Sequence, residues 1–187
     1  VKKFLTIPFI SFMFLLGYGQ DGSTKFFDLA AGYEANGAVT RVAYSYFHKA
    51  DQFIRVGAQF HLEKLKSDPQ KVPVQLYLLS LEYQRGILYL GQGDWTVYAG
   101  GGMLGGYESV NHGHALLSNG QAVNAHSRLI YGATAGVELD KWITWIEGIG
   151  RHAKSLQFFI NTKINYYPNS QIGTLQPNFT LGLRLGF

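Results

Sequence analysis

Ile54-Arg55-Val56-Gly57-Ala58-Gln59-Phe60-His61-Leu62-Glu63 alternates apolar with polar or small side chains over ten residues. A period of two puts Ile54, Val56, Ala58, Phe60 and Leu62 on one face of a β-strand and Arg55, Gly57, Gln59, His61 and Glu63 on the other. Wound as a helix, the same residues would place charge on every side and leave no apolar stripe to bury. The run therefore reads as a strand, and a long one: ~9–11 tilted residues span a bilayer.

The same alternation recurs on both sides of this stretch. Runs at about 26–35, 39–48, 74–84, 95–107, 128–139, 155–166 and 178–187 join 52–63 to make eight strands. Asn36-Gly37 between the first two is a hairpin-turn signal. Many of the apolar faces end in aromatic residues: Tyr33, Tyr46, Tyr77, Tyr83, Trp95, Tyr107, Tyr131 and Tyr166 stand at or near strand ends. Amphipathic rings at both borders of an apolar band are the aromatic girdles of a membrane barrel. The opposite faces collect Asp28, Glu34, Arg41, Arg55, His61, Glu63, Glu82, Arg128, Glu138, Lys163 and Arg184. In a barrel of eight strands the lumen is just wide enough for side chains to fill, so these charges are expected to form a plug of ion pairs and hydrogen bonds. The expected fold is all-β: one antiparallel up-and-down transmembrane β-barrel of outer-membrane type, with eight strands.

Composition fits that fold. The chain has 187 residues, of which 23 are glycine; aromatic residues make up 15% and charged residues 15%. Ordinary globular proteins carry roughly 25% charged residues. Mean hydropathy is near zero, which excludes a bundle of transmembrane helices and suits a sheet with lipid on one face and water on the other. There is no cysteine, hence no disulfide framework, no thiolate metal site and no cysteine nucleophile. Lys2-Lys3, the apolar run from Phe4 to Leu16 and the small residues Gly17 and Gly19 form a secretory signal peptide over 1–19, and Val1 reads as an alternative bacterial start codon. The net charge of +4 falls to about +2 once Lys2 and Lys3 leave with the leader, too little to point to nucleic acid. The mature chain, 20–187, is expected to be a single domain in the outer membrane, in contact with its lipid.

Parity orients the barrel. Bacterial single-chain barrels have an even strand number, short periplasmic turns and longer outer loops. With the N-terminus in the periplasm, segments 64–73, 108–127 and 167–177 lie outside, as long polar loops. Residues 86–94 read as a turn region. Residues 141–154 read as a periplasmic excursion or an N-terminal extension of the seventh strand, because a ninth strand would break the parity.

The segment 105–120 is the most distinctive in the chain. His112 and His114 form a His-x-His pair with Glu108 and Asn111 close by, but a third protein ligand for a metal is not evident. Gly100-Gly101-Gly102 and Gly105-Gly106 are not a phosphate loop, since no helix and no Lys-Ser/Thr follow. Ser109, His112 and nearby acids do not assemble an acid, a base and a nucleophile by spacing alone. No catalytic residue, cofactor or metal ligand is assigned.

Residues 99–120, Ala-Gly-Gly-Gly-Met-Leu-Gly-Gly-Tyr-Glu-Ser-Val-Asn-His-Gly-His-Ala-Leu-Leu-Ser-Asn-Gly, resemble the central segment of the TraO family of conjugative transposon transfer proteins of Bacteroidetes. Gly106, Tyr107, Glu108, Val110, Asn111, Gly113, Leu116, Leu117 and Gly120 match the family pattern, and Leu129-Ile130-Tyr131-Gly132-Ala133 resembles its resumption of the strand. His112 replaces the family's tryptophan, and the C-terminal part is longer and less alike. The resemblance implies a structural or surface-exposed accessory role in conjugal DNA transfer, with other conjugation proteins as partners, no direct nucleic-acid binding and no catalytic residues. Parity makes the motif an outer loop. Separately, Phe179, Leu181, Leu183, Leu185 and Phe187 resemble the terminal signal that outer-membrane barrels present to the barrel assembly machinery. The same fold would also serve adhesion or another surface interaction, or a barrel enzyme with catalysis at the rim.

Overall fold

A computed structural model describes residues 24–35, 37–67, 70–90, 95–114, 126–143 and 155–186. The eight strands are β1 (Thr24–Glu34), β2 (Gly37–Lys49), β3 (Gln52–Ser67), β4 (Gln70–Leu90), β5 (Trp95–Val110), β6 (Arg128–Ile143), β7 (Ser155–Tyr166) and β8 (Leu175–Gly186). Each pairs antiparallel with the next. β8 returns to β1, from Phe26↔Gly186 to Glu34↔Asn178, and closes the barrel. Closure matters physically because an open edge would leave backbone N–H and C=O groups unpaired in hydrocarbon.

Register fixes the tilt. Followed around the barrel from Glu34, the partners are Asn178, Lys163, Gly136, Gly100, Gln84, Phe53, Phe47 and finally Thr24. The path returns to β1 displaced from residue 34 to residue 24, a shear of ten. With ~3.3 Å rise per residue and ~4.8 Å between strands, that shear tilts the strands by about 40° to the barrel axis.

Such a tightly coiled wall needs close backbone approach, and β5 supplies it with inward glycines. A Cβ on Gly102 would collide with the carbonyl oxygen of Leu81, and one on Gly106 with that of Tyr77. No other residue fits there without parting β4 from β5.

The two faces divide as the alternation predicts. Outward side chains form a continuous apolar band, in which Leu79, Met103 and Leu129 are 68%, 74% and 76% exposed. An apolar surface of this extent belongs in lipid rather than water. Tyr33, Tyr77, Tyr107, Tyr131 and Tyr166 ring one end of the band; Tyr46, Tyr83 and Trp95 stand near the other. Of the eleven charged or histidine residues predicted to face inward, ten are buried; Arg128 is exposed at the rim.

Several expected boundaries shift. Residues 64–67 and 70–73 are strand and not loop: β3 and β4 stay paired as far as Ser67↔Gln70. Lys64 sits on an outward position of this hairpin, above the lipid band, where outward residues no longer need to be apolar. The expected turn region at 86–94 is strand in its first part, since β4 continues through a bulge between Gly86 and Leu88 as far as Leu90; 91–94 lie outside the described residues. Residues 141–143 belong to β6, paired with β7 through Ile143↔Leu156. The rest of the expected excursion, 144–154, lies outside the described residues, as do the leader at 1–19, Asn36 and Phe187. β5 runs to Val110, so Gly106, Tyr107, Glu108 and Val110 are strand residues, not loop residues.

Candidate functional site

Side chains fill the lumen in layers. At the end where β1 begins and β8 ends, Phe26, Phe47, Phe53 and Tyr98 form an aromatic floor, with Phe47 stacked on Phe53 at 4.5 Å between centroids. The guanidinium of Arg184 lies 4.8 Å above the Phe53 ring and 5.1 Å from Phe159. The rings thus support the charged layer above them through cation–π contact.

The middle layer is an ion-pair network. Four cations, Arg41, Arg55, Lys163 and Arg184, meet four carboxylates, Asp28, Glu82, Glu138 and Asp140, all buried. Arg55 donates from Nη1 and Nη2 to the two oxygens of Glu138 at 2.8 and 2.6 Å, and from Nε to Asp28 at 2.9 Å. Arg184 donates to Asp28 at 3.0 Å and to Glu138 at 2.5 Å, and it also pairs with Asp140. Lys163 pairs with Glu82, and Asn161 donates to Glu138 at 2.6 Å. These contacts brace β1, β3, β4, β6, β7 and β8 against one another, and they hold only if every partner is present.

At the opposite mouth, the segment 167–174 folds over the lumen as a cap. β6 begins at Arg128, but its pairing with β7 starts only at Ala133↔Tyr166, which leaves one edge of 128–132 unpaired by a strand. The side-chain amide of Asn169 fills that edge. It accepts from the Tyr131 N–H at 3.3 Å and donates to the Leu129 carbonyl at 3.0 Å, as a neighbouring strand would. Arg128, the one predicted lumen charge that is exposed, donates to the Asn169 carbonyl at 3.3 Å. Ile172 packs on Leu76, Leu78, Leu104, Ile130 and Tyr167, and also on Val72, Val74 and Val110.

Beneath this cap lies an acidic pocket. Glu34 ends β1, while His61 and Glu63 face inward from β3; one ligand atom from each falls within 4.8 Å of the others. All three side chains are buried. Gly37 makes the room, because a Cβ there would collide with Cγ of Glu63. Glu34 accepts from Asn165 at 2.9 Å, Asn178 at 2.6 Å and the Tyr167 hydroxyl at 3.1 Å. Burial and the adjacent Glu34 carboxylate push the Tyr167 hydroxyl far above its usual range, so it remains a neutral donor. With its nitrogen turned inward, Gln176 donates to Glu63 at 3.1 Å and to Glu34 at 2.9 Å. Glu108 is fully buried nearby and accepts from the Ser170 hydroxyl at 2.5 Å and from the Gln171 N–H at 3.2 Å, which ties the cap to β5. Among the described residues, no lysine or arginine lies within ion-pair distance of Glu34, Glu63 or Glu108.

A family model, "Conjugative transposon protein TraO", matches residues 21–187. The chain belongs to the TraO family. No curated protein matches it. Among solved structures, it resembles a major outer membrane protein of Thermus thermophilus, with a TM-score of 0.58 at 11% identity, over 89% of this chain and 100% of that one. It also resembles Neisserial surface protein A, with a TM-score of 0.54 at 15% identity, over 91% of this chain and 100% of that one. The N-terminal β-barrel domain of Pseudomonas aeruginosa OprF gives a TM-score of 0.54 at 12% identity, over 89% of this chain and 98% of the domain. These likenesses identify the fold as that of outer-membrane barrels.

The TraO motif acquires a physical meaning from these contacts. Gly106 allows β5 to approach Tyr77, and Tyr107 faces outward in the girdle, paired across from Tyr77. Glu108 holds the cap, and Val110 packs under Ile172. Asn111, His112 and Gly113 make a tight turn with φ of 49°, 54° and 82°. Asparagine and glycine are the residues that tolerate this left-handed region best. Asn111 locks the turn by donating to the His114 carbonyl at 2.8 Å. His112 and His114 are exposed, and the one group of three metal-ligating side chains among the described residues, Glu34, His61 and Glu63, includes neither. The sequence had placed Glu34, His61 and Glu63 in the lumen but not together, and it had put Glu108 in a surface loop. Leu116, Leu117 and Gly120 lie outside the described residues. Phe179, Leu181 and Leu183 line the outward face of β8 as expected; Leu185 is half-buried.

Proposed function

We propose that this TraO-family protein is a structural, non-enzymatic component of a conjugative transposon transfer apparatus, seated in the outer membrane with its capped mouth outward. The match to the family over 21–187 is the observation that carries the reading. The apolar band between aromatic rings supports a place in lipid. A lumen packed with an aromatic floor, an ion-pair layer and a cap leaves no passage for a DNA strand and no open cleft for a substrate among the described residues. The useful surface is then the rim, where other transfer proteins dock. In this reading the chain is exported through a leader cleaved after residue 19, and residues 20–187 form the barrel. The barrel assembly machinery recognises the apolar face of β8 together with Phe187.

Deletion of the coding sequence should lower mating frequency, and the wild-type allele should restore it. Unchanged transfer after a confirmed deletion would sink the proposal. An epitope inserted within 115–125 should be detected on intact cells; detection only after the outer membrane is permeabilised would reverse the orientation.

A further inference from the structure

We propose that Glu34, His61 and Glu63 bind one divalent transition-metal ion of the zinc kind inside the mouth of the barrel. Three donor atoms from β1 and β3 converge within 4.8 Å, across the space left by Gly37 of β2.

The imidazole is the decisive observation. His61 is fully buried, and its Nδ1 is turned to the Glu34 carboxylate, 3.1 Å from Oε2. The same spacing is that of two ligands on one metal. Donors at ~2.0–2.1 Å from a tetrahedral zinc stand ~3.3 Å apart, each off the other's lone-pair axis. The other ring nitrogen, Nε2, faces Gln59 Oε1 at 3.3 Å, which makes Nδ1 the nitrogen turned toward the carboxylates.

Charge points the same way. The middle layer matches each carboxylate with a cation. Among the described residues, Glu34, Glu63 and nearby Glu108 have only His61 within ion-pair distance. A divalent ion would supply the counter-charge that no lysine or arginine among the described residues gives these carboxylates, in a site screened from water by Tyr167 and Ile172. The amides of Asn165, Asn178 and Gln176 and the Tyr167 hydroxyl already orient the carboxylates, as outer partners of metal ligands do. One imidazole with two carboxylates suits zinc better than calcium or magnesium, which take six or more oxygens. Three protein ligands leave a fourth position for water. The ion would clasp β1 to β3 across β2, directly beneath the cap.

The test uses the mature barrel refolded into detergent micelles from metal-free denatured chain, with Zn2+, Ca2+ or Mg2+ present, then gel-filtered and assayed for metal. One zinc per chain is expected, with neither calcium nor magnesium retained. Zinc should raise the temperature at which the folded form is lost in heat-modifiable electrophoresis. His61→Asn and Glu63→Gln should weaken binding by more than about tenfold, and the combined surface variant His112→Ala, His114→Ala, His126→Ala should bind as wild type. Absence of stoichiometric zinc in the wild type, retention in both pocket variants, or loss in the surface variant would each overturn the proposal. If the pocket variants do not fold, Co2+ in the wild type decides: a tetrahedral absorption spectrum supports the site, and an octahedral, aqua-like one rejects it.

Discussion

Glu82 and Glu63 face the same lumen from neighbouring strands, and both are buried, yet their surroundings are opposite. Glu82 has Lys163 and Arg55 at ion-pair distance. Among the described residues, Glu63 has no lysine or arginine so close, and its neighbours include a second carboxylate, Glu34. The middle layer is neutral by pairing and braces the wall. The outer layer gathers carboxylates with no lysine or arginine beside them among the described residues, held in place by amides and a tyrosine. Burial alone therefore says little about what a lumen carboxylate does; the placement of its counter-charge says more.

The largest effect should come from breaking the paired layer. Arg184→Met leaves Asp28, Glu138 and Asp140 short of a cation and should cost about 3–5 kcal/mol, read as a lower urea midpoint for the protein folded in vesicles. The sharpest test sets one substitution in both layers. Glu82→Gln should destabilise by about 1.5–3 kcal/mol through loss of charged bonds. Glu63→Gln in metal-free protein should leave stability unchanged or raise it by up to about 1 kcal/mol, because it removes like-charge repulsion. Equal losses at both positions would erase the distinction between the layers.

A smaller, local effect is expected at the cap. Ser170→Ala removes one bond to Glu108 and should cost about 1 kcal/mol, visible as faster protease cleavage within 167–174 while the urea midpoint barely moves. The smallest change in stability should follow Tyr107→Phe, within about 0.5 kcal/mol, since the ring stays in its outward girdle position. Mating frequency should nevertheless fall if the Tyr107 hydroxyl meets a partner at the rim; wild-type transfer would move the partner surface elsewhere.

Much of the barrel was legible in the sequence, and the failures share a cause. Alternation located all eight strands and turned Arg55, His61, Glu82, Glu138, Lys163 and Arg184 inward. It failed where apolar outward residues stop while the backbone ladder continues: above the lipid band, Lys64 ended the recognisable pattern although pairing ran on to Ser67↔Gln70. Glu108 was misplaced for the same reason. Asp140 was missed at the other end of β6, where carrying the alternation one residue further would have found it.

The sequence by itself determined strand number, the lipid and lumen faces, and the family, because a period of two and a local motif are properties of neighbouring residues. Only the tertiary structure decided which lumen residues meet. Arg55 reaches Glu138 across 83 residues of chain, and Asn165 reaches Glu34 across 131. Those meetings depend on the shear of ten at closure, which is set by all eight registers together and written in no single strand.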